Sequence, residues 1–127
     1  MKTKVMYFNI KNDERKVLCS TSYGNVTLSW RDETPIVNST YYVEVDIEEI
    51  LEWGKNIYPS DRKDFIFENK DNDVFLCGVF ESIDDDGYGT LRLGDDIIPF
   101  ISTGVPFDVK SRIEITVNKI SAHTVSY

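Results

Sequence analysis

The side chains best suited to nucleophilic or general-base chemistry are scarce in this chain: one histidine, His123, and two cysteines, Cys19 and Cys77. A catalytic triad or Cys-His pair would have to use His123, whose neighbours are Ala122 and Thr124, and nothing around it resembles a nucleophile elbow. It reads instead as a surface histidine at a strand end. Each cysteine follows a leucine inside an apolar stretch, the setting of a buried reduced thiol, and no CxxC pair is present to hold zinc. The chain has no GxGxxG, no Walker-type loop and no HExxH, and Gly87-Tyr88-Gly89 is too short to cradle a phosphate. The expectation is a protein with no catalytic residues, metal or cofactor.

Carboxylates are the abundant chemistry. Asp84-Asp85-Asp86-Gly87 resembles the start of a calcium loop, but aligning Gly87 with the loop glycine puts Ser82 first and Leu93 last. The bidentate glutamate that completes such a chelate is missing, so the segment reads as an acidic hairpin turn. Asp71-Asn72-Asp73 and Asp95-Asp96 read the same way. Paired acids for glycoside hydrolysis would have to converge in a cleft, which spacing alone does not show.

The formal charge is −8. Phosphate binding rests on lysine and arginine displacing counterions, so this excess of acids speaks against nucleic acid as a direct partner, and against an anionic membrane surface. A basic protein is the partner such a field favours. The charge is also unevenly placed. Residues 32–52 hold seven carboxylates and no lysine or arginine, and residues 81–96 form a second acidic zone broken only by Arg92, whereas Lys2, Lys4, Lys11, Arg15 and Lys16 cluster near the start. Glu44, Asp46 and Glu48 alternate, so one strand would carry all three outward. With Glu49 and Glu52, the flanking aromatics Tyr42, Trp53 and Tyr58, and the turn acids Asp84, Asp85 and Asp86, they make the candidate partner-binding set. Aromatic rings beside charge are typical interface anchors. The competing reading is a solvated face that guards a sheet edge.

The elements that must position these residues are strands. Val26, Leu28 and Trp30 alternate with Thr27, Ser29 and Arg31; Tyr41, Val43, Val45 and Ile47 with Tyr42, Glu44 and Asp46; Ile113, Ile115 and Val117 with Glu114 and Thr116. Turn-forming Asn, Asp and Gly clusters punctuate the runs. The pattern predicts about eight or nine strands, near residues 5–10, 15–21, 26–31, 41–50, 64–68, 74–83, 90–93, 97–101 and 112–120. The expected fold is all-β, an antiparallel small barrel or sandwich forming a single domain over residues 1–127, with at most one short helix, near 47–53. Residues 52–61 are the most plausible internal boundary. No apolar run is long enough to span a bilayer and the start lacks the pattern of a secretory signal, so the expected setting is cytoplasmic. A long edge strand such as 74–83 could pair with its counterpart in a homodimer.

In size, acidity and β-richness the chain resembles the small acidic immunity proteins of bacterial toxin systems, including contact-dependent inhibition. The segments that carry the resemblance are Val43-Glu44-Val45-Asp46-Ile47, Trp53-Gly54-Lys55-Asn56-Ile57, Thr90-Leu91-Arg92-Leu93-Gly94-Asp95-Asp96-Ile97 and Arg112-Ile113-Glu114-Ile115-Thr116-Val117. The resemblance implies a cytoplasmic protein that binds one cognate toxin domain, often a nuclease, and blocks its basic cleft. The alternative is a small β-barrel that holds a ligand or serves as a subunit of a larger assembly, with Tyr7, Phe8, Trp30, Phe65, Phe67 and Phe80 lining a pocket rather than forming plain core. An OB-type barrel for single strands is a third option, which would need basic residues among exposed aromatics.

Overall fold

The computed structural model describes residues 1–126. Its elements are β1 (Lys2–Lys11), β2 (Glu14–Thr21), β3 (Gly24–Trp30), β4 (Thr40–Ile47), β5 (Ile50–Glu52), β6 (Ile57–Pro59), β7 (Ile66–Lys70), β8 (Asp73–Ile83), β9 (Tyr88–Leu93), β10 (Asp96–Thr103), β11 (Arg112–Val117) and β12 (Ile120–Thr124). The all-β class is as the alternation predicts, and among the described residues no helix is long and apolar enough to cross a membrane.

Four features depart from the expectations drawn from the sequence. Twelve strands replace eight or nine, because β5 and β6 are three-residue strands too short to show a period. The expected short helix near 47–53 is extended chain: β4 ends at Ile47 and β5 begins at Ile50, laid parallel to β10. The predicted strand 112–120 is two strands, divided at Asn118-Lys119, that serve different sheets. The strand at 74–83 is also no edge, since β8 pairs with β11 on one side and with β7 and β9 on the other.

The first sheet closes on itself in the order β1-β2-β3-β12-β4, with β4 returning to β1 and with β3 and β12 parallel. The other neighbours in this barrel, β1/β2, β2/β3, β12/β4 and β4/β1, are antiparallel. Its interior is filled by Val5, Val17, Val26, Leu28, Val43 and Val45, the inward-facing members of the alternating runs. Everything between β4 and β12 is one long excursion that builds the second sheet, ordered β5-β10-β9-β8-β11-β6 with β7 on the flank of β8. A bridge between Trp53 and Ile57 draws the β5 and β6 ends together. Buried side chains of the two sheets form one hydrophobic cluster. Trp30, Phe67 and Phe80 belong to it, Phe8 and Phe65 pack against it, and Tyr7 lies outside. Both thiols are free and buried, and burial pushes the Cys19 thiol up to about 11.

The second sheet is organised around Trp53. Its ring meets Phe80 at 4.8 Å, Phe107 at 4.9 Å and Phe100 at 6.1 Å between centroids. The indole Nε1–H donates to Ser102 Oγ (3.0 Å), which donates to the Gly87 carbonyl (2.9 Å). That chain needs close backbone approach. Gly87 has φ +86°, and a Cβ there would sit 2.1 Å from the Ser102 carbonyl oxygen. Replacing Ser102 by alanine strands the buried indole donor, an expected loss of about 1–3 kcal/mol, readable as a lower urea midpoint at unchanged slope.

Candidate functional site

Because Val43 and Val45 face the barrel interior, Tyr42, Glu44 and Asp46 face outward on β4. The β12 register sets His123 opposite Glu44 and Ser121 opposite Asp46. His123 lies between the two acids, with Nε2 3.2 Å from Glu44 Oε2 and Nδ1 3.1 Å from Asp46 Oδ2. It is thus at a strand end as expected, but framed by carboxylates from the next strand.

Glu48 is less available than its sequence position suggests. It pairs with the Arg31 guanidinium and accepts from Ser121 Oγ (2.8 Å), and the Arg31 contact, above all, holds its carboxyl below the usual glutamate range. Glu49 accepts from the Asn118 amide (3.0 Å) and so braces the turn between β11 and β12. Glu52 is exposed on β5 and Tyr58 on β6, both in the second sheet. Trp53 is 8 % exposed inside the aromatic cluster and presents no surface to a partner. The 84–87 segment is the acidic hairpin turn expected, and Asp84 caps it by accepting from the amides of Asp86 (2.9 Å) and Tyr88 (3.0 Å), with Asp85 and Asp86 exposed beside it. Among the described residues no group of three or more His, Cys, Asp and Glu is placed to hold a metal.

What the structure brings together is a different set. A cleft of about 390 Å³ runs between β4 and the start of β10, lined by Glu44 and Asp46 on one wall and by Asp95, Asp96, Ile97 and Pro99 on the other. A second cleft of about 310 Å³ shares Asp46 and Pro99 and continues past Ile47, Tyr88, Phe100 and Ile101. The first is acidic and the second mostly apolar, with Tyr88, Ile97 and Ile101 exposed. Asp96 is fixed by the Tyr23 hydroxyl, which donates to its Oδ2 (2.6 Å), and by the Met1 ammonium 3.4 Å from its Oδ1. Burial first, and then the Asp96 contact, pushes the Tyr23 phenol up to about 12.

Asp95, Asp96 and Tyr88 were absent from the sequence-derived set. Asp95-Asp96 did stand out as an acidic turn, but alternation within a run carries no information on which distant turn faces which strand. Comparison with protein-family models, curated proteins and solved structures finds no match.

Several carboxylates are held low, which fixes the acid-side stability. Glu81, between Arg92 and Lys110, is lowered to about 2, its hydrogen bond from Arg92 being the largest cause. Asp32, accepting from Thr124, and Glu48 are lowered too. Groups that bind protons more weakly folded than unfolded stabilise the fold above their unfolded values and lose that contribution as pH falls through the folded ones. The urea midpoint is therefore expected to hold above about pH 4.5 and to fall progressively towards about pH 2. A midpoint that stays flat across that window would contradict these pairings.

Proposed function

We propose that the protein is a non-catalytic binding module that docks a basic protein partner along the β4/β10 cleft. The observation that carries this reading is the gathering of Glu44, Asp46, Asp95 and Asp96 around one cleft, with exposed Tyr88 and Ile101 continuing it. Four carboxylates, set against the Met1 ammonium and the His123 ring, offer acceptors for lysine or arginine side chains, and the apolar continuation takes the side chain beside them. The finer reading is an immunity protein, acting in the cytoplasm, that neutralises a cognate bacterial toxin, with a nuclease whose substrate cleft is cationic as the best-matched target. Complementary fields would speed the encounter and set its orientation. Nucleic acid and membranes fit the acidic cleft poorly for the same electrostatic reason. A ligand held inside the first barrel is disfavoured by the side chains that fill it.

The test is co-expression with the product of the neighbouring gene, purification on a tag, and a survival assay. A nanomolar complex with rescue of a toxic neighbour is expected. Toxicity without complex or rescue would remove the immunity reading.

A further inference from the structure

β1 and β2 are joined by the two-residue turn Asn12-Asp13, with φ +53° and +62°, a type I′ geometry closed by the pair Lys11 and Glu14. In such a hairpin the closing pair exchanges both main-chain hydrogen bonds, and bonded and non-bonded pairs then alternate. The amides and carbonyls of Lys11 and Asn9 therefore point at β2, and those of Ile10 and Phe8 point away from it. Nearer the start, that outer side is occupied: β4 pairs with Lys2, Thr3 and Lys4, the Val5 amide donates to Ser39 O (3.0 Å), and the Asn38 amide donates to Val5 O (2.7 Å). From residue 6 to residue 11 the described residues provide no strand on that side. The barrel thus ends in a hairpin with an open, apolar edge, on which Tyr7 is 58 % and Ile10 63 % exposed. Such an edge is a template for strand addition.

We propose that this edge pairs with the same edge of a second copy of the chain, antiparallel about a two-fold axis at Asn9. The occupant follows from the residues themselves. Outward main-chain groups sit on Phe8 and Ile10, and a register that lines them up across the axis puts Phe8 opposite Ile10 of the other copy, Asn9 opposite Asn9 and Tyr7 opposite Lys11. Apolar meets apolar on one face, a cation meets a ring on the other, and no like charges face each other. Centring the axis on Phe8 would run into the Asn38-Ser39 contact with Val5, and centring it on Ile10 would run the strands out at the turn. The two Lys11 ammonium groups stand four residues apart along the pair, about 14 Å by strand rise and beyond the screening length of about 8 Å at physiological salt. The result is a four-stranded β2-β1-β1-β2 sheet joining two barrels, away from the β4/β10 cleft and independent of it.

The register gives a direct test. Asn9 faces its own counterpart in a non-bonded pair, where Cα atoms lie about 4.5 Å apart, within disulfide reach. Asn9→Cys is expected to give an intermolecular disulfide under mild oxidation, because Cys19 and Cys77 are buried. Lys11→Cys, which faces Tyr7, is expected to cross-link roughly tenfold slower or not at all. The unaltered chain is expected to sediment as a reversible dimer, tighter as salt rises. Ile10→Pro, which removes an outward amide without breaking the β1/β2 ladder, is expected to sediment as a folded monomer with an unchanged circular dichroism spectrum. An unaltered chain that stays monomeric to millimolar concentration, or Asn9→Cys cross-linking no faster than Lys11→Cys, overturns the proposal and leaves the edge to another protein's strand.

Discussion

Trp53→Ala is expected to cost about 3–5 kcal/mol of stability, read from urea unfolding. The ring is enclosed by Phe80, Phe100 and Phe107, its Nε1–H is committed to Ser102, and its own amide donates to Thr103 O (3.1 Å) at the junction of β5 and β10. Truncation removes the largest side chain of that cluster, leaves a cavity, and leaves the Ser102 hydroxyl short of a partner. Against a typical total of 5–15 kcal/mol this approaches complete unfolding. Trp53→Phe should lose less and stay folded, which makes it the informative variant for binding. If folded Trp53→Phe lost partner affinity while Tyr88→Ala did not, the assignment of Trp53 to the core and Tyr88 to the cleft would be reversed.

The largest effect on binding is expected from reversing charge in the cleft. With Glu44, Asp46 and Asp95 replaced by lysine, affinity for the proposed basic partner should fall roughly hundredfold or more, because each change removes an attraction and adds a repulsion, and about 2.8 kcal/mol is already a factor of one hundred. The fold should survive. Glu44 and Asp46 are exposed enough that their contacts with His123 contribute on the order of 1 kcal/mol or less. The matched control replaces Glu52, Asp61 and Glu68, three exposed acids outside the cleft lining, and shifts net charge equally. Titration calorimetry at low and moderate salt separates the two. Equal losses for both triples would show that net charge, and no particular surface, governs binding.

Local pattern made much of this fold legible. The alternation at Val26-Leu28-Trp30, Val43-Val45 and Ile113-Ile115-Val117 marked the buried faces correctly, and the Asn, Asp and Gly clusters fell at turns, Asp84 as a cap. It failed where elements are short or where one run serves two sheets. β5 and β6 have three residues each, and a strand that continues through Asn118-Lys119 looks the same in sequence whether or not it changes sheet. Trp53 was misplaced for a related reason. A tryptophan among glutamates reads as a surface anchor until β10 and the 104–111 segment are seen to cover it.

The sequence by itself determined the class of structure and its field: period-two patterning set the inward faces, turn residues set the hairpins, and the excess of carboxylates set the sign of the surface. Only the tertiary structure decided which acids meet. Asp46 and Asp96 are separated in sequence by five strands of the second sheet, β5 to β9, and they share a cleft because β4 and β10 pack together. Glu48, one turn of the alternation away, was withdrawn from that set by Arg31. Closure of the barrel also decided which strand keeps an open edge. β8, the longest run, is enclosed on both sides, and the end of β1 outruns its partners because β4 pairs only with its first residues.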